Sequence, residues 1–135
     1  MRVVCDTNVL ISGIVFGGSP YEILYEASER KIVVVISAPI LNEVQKVLRN
    51  KFNFSGEDVE KELAYLSRLG IFVEPQIKVD KIKNDPTDNK ILECALEGRA
   101  DYIITGDKKH LLPLKKFKNI PILSPQDFLK KVLYS

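Results

Sequence analysis

Short β-branched apolar runs recur along the chain, each separated from the next by an amphipathic segment that opens on a capping residue. Residues 2–6, 32–36, 71–74, 102–105 and 120–123 read as five strands, too short and too uniformly apolar for solvent-facing hairpins. Between them lie helix patterns. Asp6, Thr7 and Asn8 offer capping oxygens at the end of the first run. Ser19-Pro20-Tyr21-Glu22 predicts a start at Ser19, with proline at the first helical position and Glu22 closing a capping box, in a helix reaching about Lys31. Ser37 precedes a stripe of Ile40, Leu41, Val44, Val47 and Leu48. Ser55 with Asp58 starts a helix burying Val59, Leu63, Leu66 and Leu69 and ending at Gly70. Asp85-Pro86-Thr87-Asp88 starts another that stops at Gly98, and Ser124-Pro125-Gln126-Asp127 starts the last. Residues 75–84 form a lysine-bearing loop, read as a surface connection rather than a substrate-binding element. Strands alternating with helices predict a parallel sheet with helices on both faces.

The 135 residues suit one domain, 1–135, and 45% hydrophobic residues supply a core. A charged fraction of 28% is far from the disordered range. No apolar run approaches the roughly 18 residues of a membrane span. The polar residues soon after Arg2 exclude a secretory leader, so the expected location is the cytoplasm. Cys5 and Cys94 have no metal-binding spacing and sit where small core residues are expected.

Parallel sheets carry function at the carboxyl ends of their strands, near the point where strand order reverses. Four acids are placed to reach that edge. Asp6 ends the first strand, Glu43 flanks the apolar stripe of the third helix, Asp88 lies in the first turn of a helix, and Asp107 follows the fourth strand. Each has a local explanation as a cap, a dipole complement, a turn residue or an exposed helix charge. Together they mean more, because clustered carboxylates repel unless a cation neutralises them, and oxygen donors suit Mg²⁺ or Mn²⁺. One histidine and no thiolate cluster argue against a zinc hydrolase, and neither a G-x-S-x-G elbow nor a phosphate-binding P-loop occurs. Charge is uneven. From Lys108 onward seven lysines (Lys108, Lys109, Lys115, Lys116, Lys118, Lys130, Lys131) face one acid, Asp127, whereas the first forty-five residues hold three bases and five acids. Such a stretch is either a solvated face or a phosphate-binding one. Metal-holding carboxylates beside a basic stretch fit phosphodiester hydrolysis.

Val3-Val4-Cys5-Asp6-Thr7-Asn8-Val9-Leu10, then Glu43, then Asp85-Pro86-Thr87-Asp88-Asn89, then Ile104-Thr105-Gly106-Asp107 resembles a PIN-domain protein over nearly the whole chain. Within that superfamily it is similar to VapC-related toxins of toxin–antitoxin systems. The resemblance implies a three-layer α/β fold with a five-stranded parallel sheet flanked by helices on both faces. It also implies Mg²⁺- or Mn²⁺-dependent cleavage of RNA. Asp6, Glu43, Asp88 and Asp107 would form the catalytic metal site, with Asp6 a direct ligand. Asn8, Asn89 and Thr105 would orient carboxylates or waters. Implied partners are an RNA substrate, a cognate antitoxin and a second copy of the chain, with no membrane.

Other residues carry less. His110, three after Asp107, invites a general-base role, but a metal-activated water removes the need for a histidine base. Tyr21, Tyr25 and Tyr65 lie in amphipathic helices, where packing accounts for them more simply than base stacking. A phosphatase using an aspartyl nucleophile would want D-x-D after the first strand, but Asn8 holds the second position. A catalytically silent RNA-binding or scaffold protein on the same fold is the other alternative, opposed by the cost of clustered acids with no task.

Overall fold

The computed structural model describes residues 1–80 and 86–135. Its strands are β1 (Arg2–Cys5), β2 (Val33–Ser37), β3 (Gly70–Val73), β4 (Tyr102–Ile104), β5 (Lys116–Phe117) and β6 (Ile120–Leu123). The helices are α1 (Thr7–Val15), α2 (Gly18–Ser28), α3 (Ala38–Phe52), α4 (Gly56–Ser67), α5 (Pro86–Glu97) and α6 (Pro125–Phe128), the last continuing as a π turn over Leu129–Leu133. The sheet order is β3-β2-β1-β4-β6-β5. Strands β1, β2, β3, β4 and β6 run parallel, as the five apolar runs predict, with Val3 aligned between Val34 and Tyr102. Val3, Val4, Val34, Ile103 and Ile104 are completely buried, which is why those runs lack polar alternation. Helix α5 packs on β1 and β2, α3 on β2, α4 on β3, and α6 on β6.

A sixth strand corrects the five-stranded expectation. β5 folds back antiparallel on β6, pairing Phe117 with Ile120. Lys118 (φ 50°) and Asn119 (φ 68°) turn the hairpin, both left-handed as a two-residue type I′ turn requires. The sequence signal for that turn is Asn-Gly or Asp-Gly, and Lys-Asn lacks the glycine.

Helix boundaries differ in instructive ways. Ser55 and Ser124 cap as expected, accepting from Asp58 and Asp127 amides at 3.1 Å each. Ser37 stands at the cap position of α3 without a side-chain cap bond. Ser19 does not cap α2: Gly17, at φ 91°, does so, and the helix ends at Ser28. Pro20 falls inside the first turn, where a missing N–H costs no helical bond. Gly70 and Gly98, read as helix stops, answer to packing on β2. A Cβ on Gly70 would lie 2.1 Å from the Val34 carbonyl oxygen, and one on Gly98 2.3 Å from Val35 Cγ1. The left-handed residue after α5 is Arg99, at φ 51°.

The packing expected of Tyr21 and Tyr25 is also overturned. They are 49% and 47% exposed and stack on each other at 6.5 Å, while Tyr65 is half-buried against the core. The loop expected over 75–84 is non-helical as far as residue 80. Two α5 carboxylates tie it down: Glu93 accepts from the Val79 amide at 2.9 Å and Glu97 from the Gln76 amide at 3.0 Å. Its remainder and the Asp85 cap lie outside the described residues. Among those described, no helix is long and apolar enough to cross a membrane.

Candidate metal centre

The strand order reverses between β1, whose successors β2 and β3 extend one way, and β4, whose successor β6 extends the other. A crevice at such a reversal is where open parallel sheets bind ligands. Here it is a cleft of about 470 Å³, and Asp6, Glu43, Asp88 and Asp107 all line it.

Asp6 leaves the end of β1 by joining its amide to the Ile104 carbonyl at 2.9 Å, and it then caps α1, Oδ1 accepting from the Val9 amide at 2.8 Å. Its Oδ2 accepts the Thr105 hydroxyl proton. The Thr105 oxygen in turn accepts from the Asp107 amide at 2.9 Å, so one buried hydroxyl links the two strand ends. Asp107 Oδ1 accepts from the amides of Lys109 (3.0 Å) and His110 (3.1 Å), closing a turn that brings the imidazole back over the carboxylates. His110 Nδ1 stands 3.4 Å from Asp88 Oδ2 and 3.7 Å from Asp107 Oδ2. Asp88 reaches the cleft from the first turn of α5, where the helix dipole favours a negative charge.

The two strand-end carboxyls titrate in opposite directions. Burial pushes the Asp6 pKa up, and the charge of Asp107 adds to this. The bonds from Thr105, Val9 and Gly106 only partly offset the rise. For Asp107 burial also pushes upward, but a hydrogen bond with Asp88, the amides of His110 and Lys109 and the charge on His110 outweigh it, leaving the pKa lowered. Cys5 and Cys94 are buried in the core, and burial raises both thiols, Cys94 to about 12, so neither is a thiolate at neutral pH.

Asp88, Asp107 and His110 form the tightest group, each offering a ligand atom within 4.8 Å of the others. Asp6 lies beside this group, joined to it through Thr105, and Glu43 faces it from α3. Of the expected orienting residues, Asn8 is exposed on the cleft wall, Asn89 is buried in the first half of α5, and Thr105 makes the bonds described. The structure adds His110, which sequence reasoning set aside. Its place three residues after Asp107, within one turn, was the available signal. It also adds Lys51 to the cleft wall, legible as the third member of the Glu43, Val47, Lys51 series at helical spacing. Of the C-terminal lysines only Lys109 lines the cleft.

The donor set fits a hard divalent ion. Clustered carboxylates, one of them buried with its pKa raised, are held by hydrogen bonds that leave carboxylate lone pairs available, and they prefer Mg²⁺ or Mn²⁺ to softer metals. The Thr7 hydroxyl, which also lines the cleft, is buried with no hydrogen-bond partner among the described residues.

The fold matches a chain in the crystal structure of VapBC2 from Rickettsia felis bound to a DNA fragment from their promoter, with a TM-score of 0.64 and 18% identity. The match covers 90% of this chain and 97% of that one. No curated protein shows significant sequence similarity. The family model for the PIN domain matches residues 2–109, four-fifths of the sequence, and the chain belongs to the PIN-domain family.

Proposed function

We propose that this PIN-domain protein is an Mg²⁺- or Mn²⁺-dependent endoribonuclease and the toxin of a toxin–antitoxin pair. The observation that carries the reading is the convergence of Asp6, Glu43, Asp88 and Asp107 on one cleft at the strand-order reversal, with His110 among them. Asp6, Asp88 and Asp107 would hold the ion, and Glu43 would hold a second ion or coordinated waters from the facing helix. Bound there, the ion supplies an activated water and charge stabilisation for the leaving oxygen. The protein's own task is preorganisation. Thr105 locks Asp6 to Asp107, the two turn amides fix Asp107 Oδ1, and His110 Nδ1 can carry a proton beside the Oδ2 atoms of Asp88 and Asp107. A phosphatase-type Asp6 nucleophile is disfavoured, because Asn8 stands where that chemistry needs a second aspartate as acid and base.

The toxin assignment draws on the fold shared with the VapBC2 chain and on the PIN family. An antitoxin protein and a second copy of the chain are the partners this reading expects, in the cytoplasm where the RNA is. The deciding experiment is cleavage of a labelled single-stranded RNA in Mg²⁺ and in Mn²⁺. Controls are EDTA and an Asp6→Asn/Asp88→Asn double variant purified identically. Metal-dependent cutting absent from the variant supports the nuclease. Equal cutting by both proteins would assign the activity to a contaminant, and a folded wild type cutting neither linear nor structured RNA would favour a silent RNA-binding scaffold.

A further inference from the structure

Glu43, Val47 and Lys51 follow one another at four-residue intervals on α3, and all three line the cleft. That stripe runs about 12 Å along the helix axis, two turns at 1.5 Å per residue. Its two ends differ in charge. Glu43 belongs with the acids, whereas Lys51 is exposed and has no ion-pair partner among the described residues, unlike Lys31, Lys61, Lys90 and Lys131. Lys109, in the turn that carries Asp107, is the other lysine of the wall and is likewise without an ion pair among the described residues. Lys116 and Lys118 sit on the β5–β6 hairpin and Lys115 just before it, none of them among the residues lining the cleft.

A polyanion entering a cleft lined by four carboxylates meets repulsion unless cations on the same wall offset it. A lysine already engaged with an acid would offer little. Lys51 keeps its charge available, two helical turns along α3 from Glu43. Between it and Glu43 the helix presents Val47, an apolar side chain that also lines the cleft.

Resting on the nuclease reading, we infer that Lys51 is a positioning residue that binds a backbone phosphate of single-stranded RNA at least one nucleotide from the scissile bond. Lys51 acts on substrate binding and alignment, while the bond is broken at the carboxylates. Lys109 is the less informative residue to change, because it sits in the turn that holds Asp107 and His110, where a substitution can move the acids themselves.

The test is steady-state cleavage in Mg²⁺ of a labelled oligoribonucleotide and of a dinucleotide with only the scissile phosphate. The proteins are wild type, Lys51→Gln, Lys51→Arg and, as a remote control, Lys131→Gln. For the long substrate Lys51→Gln raises KM about fivefold at 0.1 M salt with little change in kcat, and the slope of log(kcat/KM) against log salt falls by about 0.7. Lys51→Arg restores both quantities, Lys131→Gln changes neither, and the dinucleotide does not distinguish wild type from Lys51→Gln. An unchanged salt slope, or an equal loss on both substrates, would overturn the inference while leaving the nuclease intact. Failure of the wild type to cleave the long RNA would overturn the nuclease reading and this inference with it.

Discussion

Helix α5 carries two buried carboxylates in different settings. Asp88 in its first turn is 9% exposed, and Glu93, just over one turn further on, is 6% exposed. Burial does not separate them; their neighbours do. Glu93 meets donors, the Val79 amide at 2.9 Å and the Lys90 ammonium at 3.3 Å, so its charge is answered within the protein. Asp88 stands among a second carboxyl, Asp107, and the His110 imidazole 3.4 Å away, a grouping that the nuclease reading assigns to a bound cation. A buried acid among donors holds the chain together, whereas a buried acid beside other acids is where the proposed function puts its metal.

Reversing the roles of these two acids would break the contrast. The largest effect is expected at Asp88→Asn: cleavage falls on the order of 100-fold or more, a loss at least as large as that from disturbing a ligand's support. Its metal-free melting temperature holds or rises, because a repelling charge is gone. The rise in melting temperature that Mg²⁺ or Mn²⁺ gives the wild type, about 2.7 kcal/mol of stability at a hundred times Kd, shrinks in this variant. Thermal melts with and without metal check both statements, and a large metal-free destabilisation would place Asp88 with the structural acids instead.

Glu93→Ala comes next. Leaving the Val79 amide without its acceptor costs about 1–3 kcal/mol in urea unfolding, while the stabilisation by metal persists. Loss of the metal response here, with stability unchanged, would erase the distinction between the two halves of α5.

The smallest effect sharpens the contrast through pH. Asp6 has a pKa raised above its ordinary 3.8, chiefly by burial. The folded state therefore binds the Asp6 proton more tightly than the unfolded state does. This contribution is fully present below the unfolded value and is lost as pH rises through the folded one. In EDTA, Asp6→Asn is then more stable than wild type at neutral pH, since asparagine caps α1 about as well, and the gap narrows as pH falls towards 3.8. A gap independent of pH would show that the Asp6 charge is not what destabilises the metal-free site.

Much of this arrangement was legible in the sequence because its cues are local. β-Branched runs report buried parallel strands, a serine three residues before an aspartate reports a cap, and Asp6 and Asp107 sit where strands end. Cues that depend on distant partners misled. Gly70 looks like the stop of a helix that in fact ends at Ser67; Gly98 does follow the last residue of α5, but both glycines are small because β2, far from either in sequence, passes against them. Ser19 looks like a cap, but Gly17 can take a positive φ that serine resists, and it starts the helix sooner. Lys118-Asn119 turns a hairpin without the usual glycine because pairing with β6 stabilises that turn.

The sequence by itself determined the parallel α/β sheet, the acidic set and the family motifs, since periodicity, capping and strand-end position are properties of neighbouring residues. Only the tertiary structure decided that His110 stands over Asp88 and Asp107, that Thr105 bridges the ends of β1 and β4, and that Lys51, with Lys109 alone of the C-terminal lysine run, shares the cleft wall with Glu43. These are relations between elements that meet where the strand order reverses, and no spacing along one element encodes how another will lie against it.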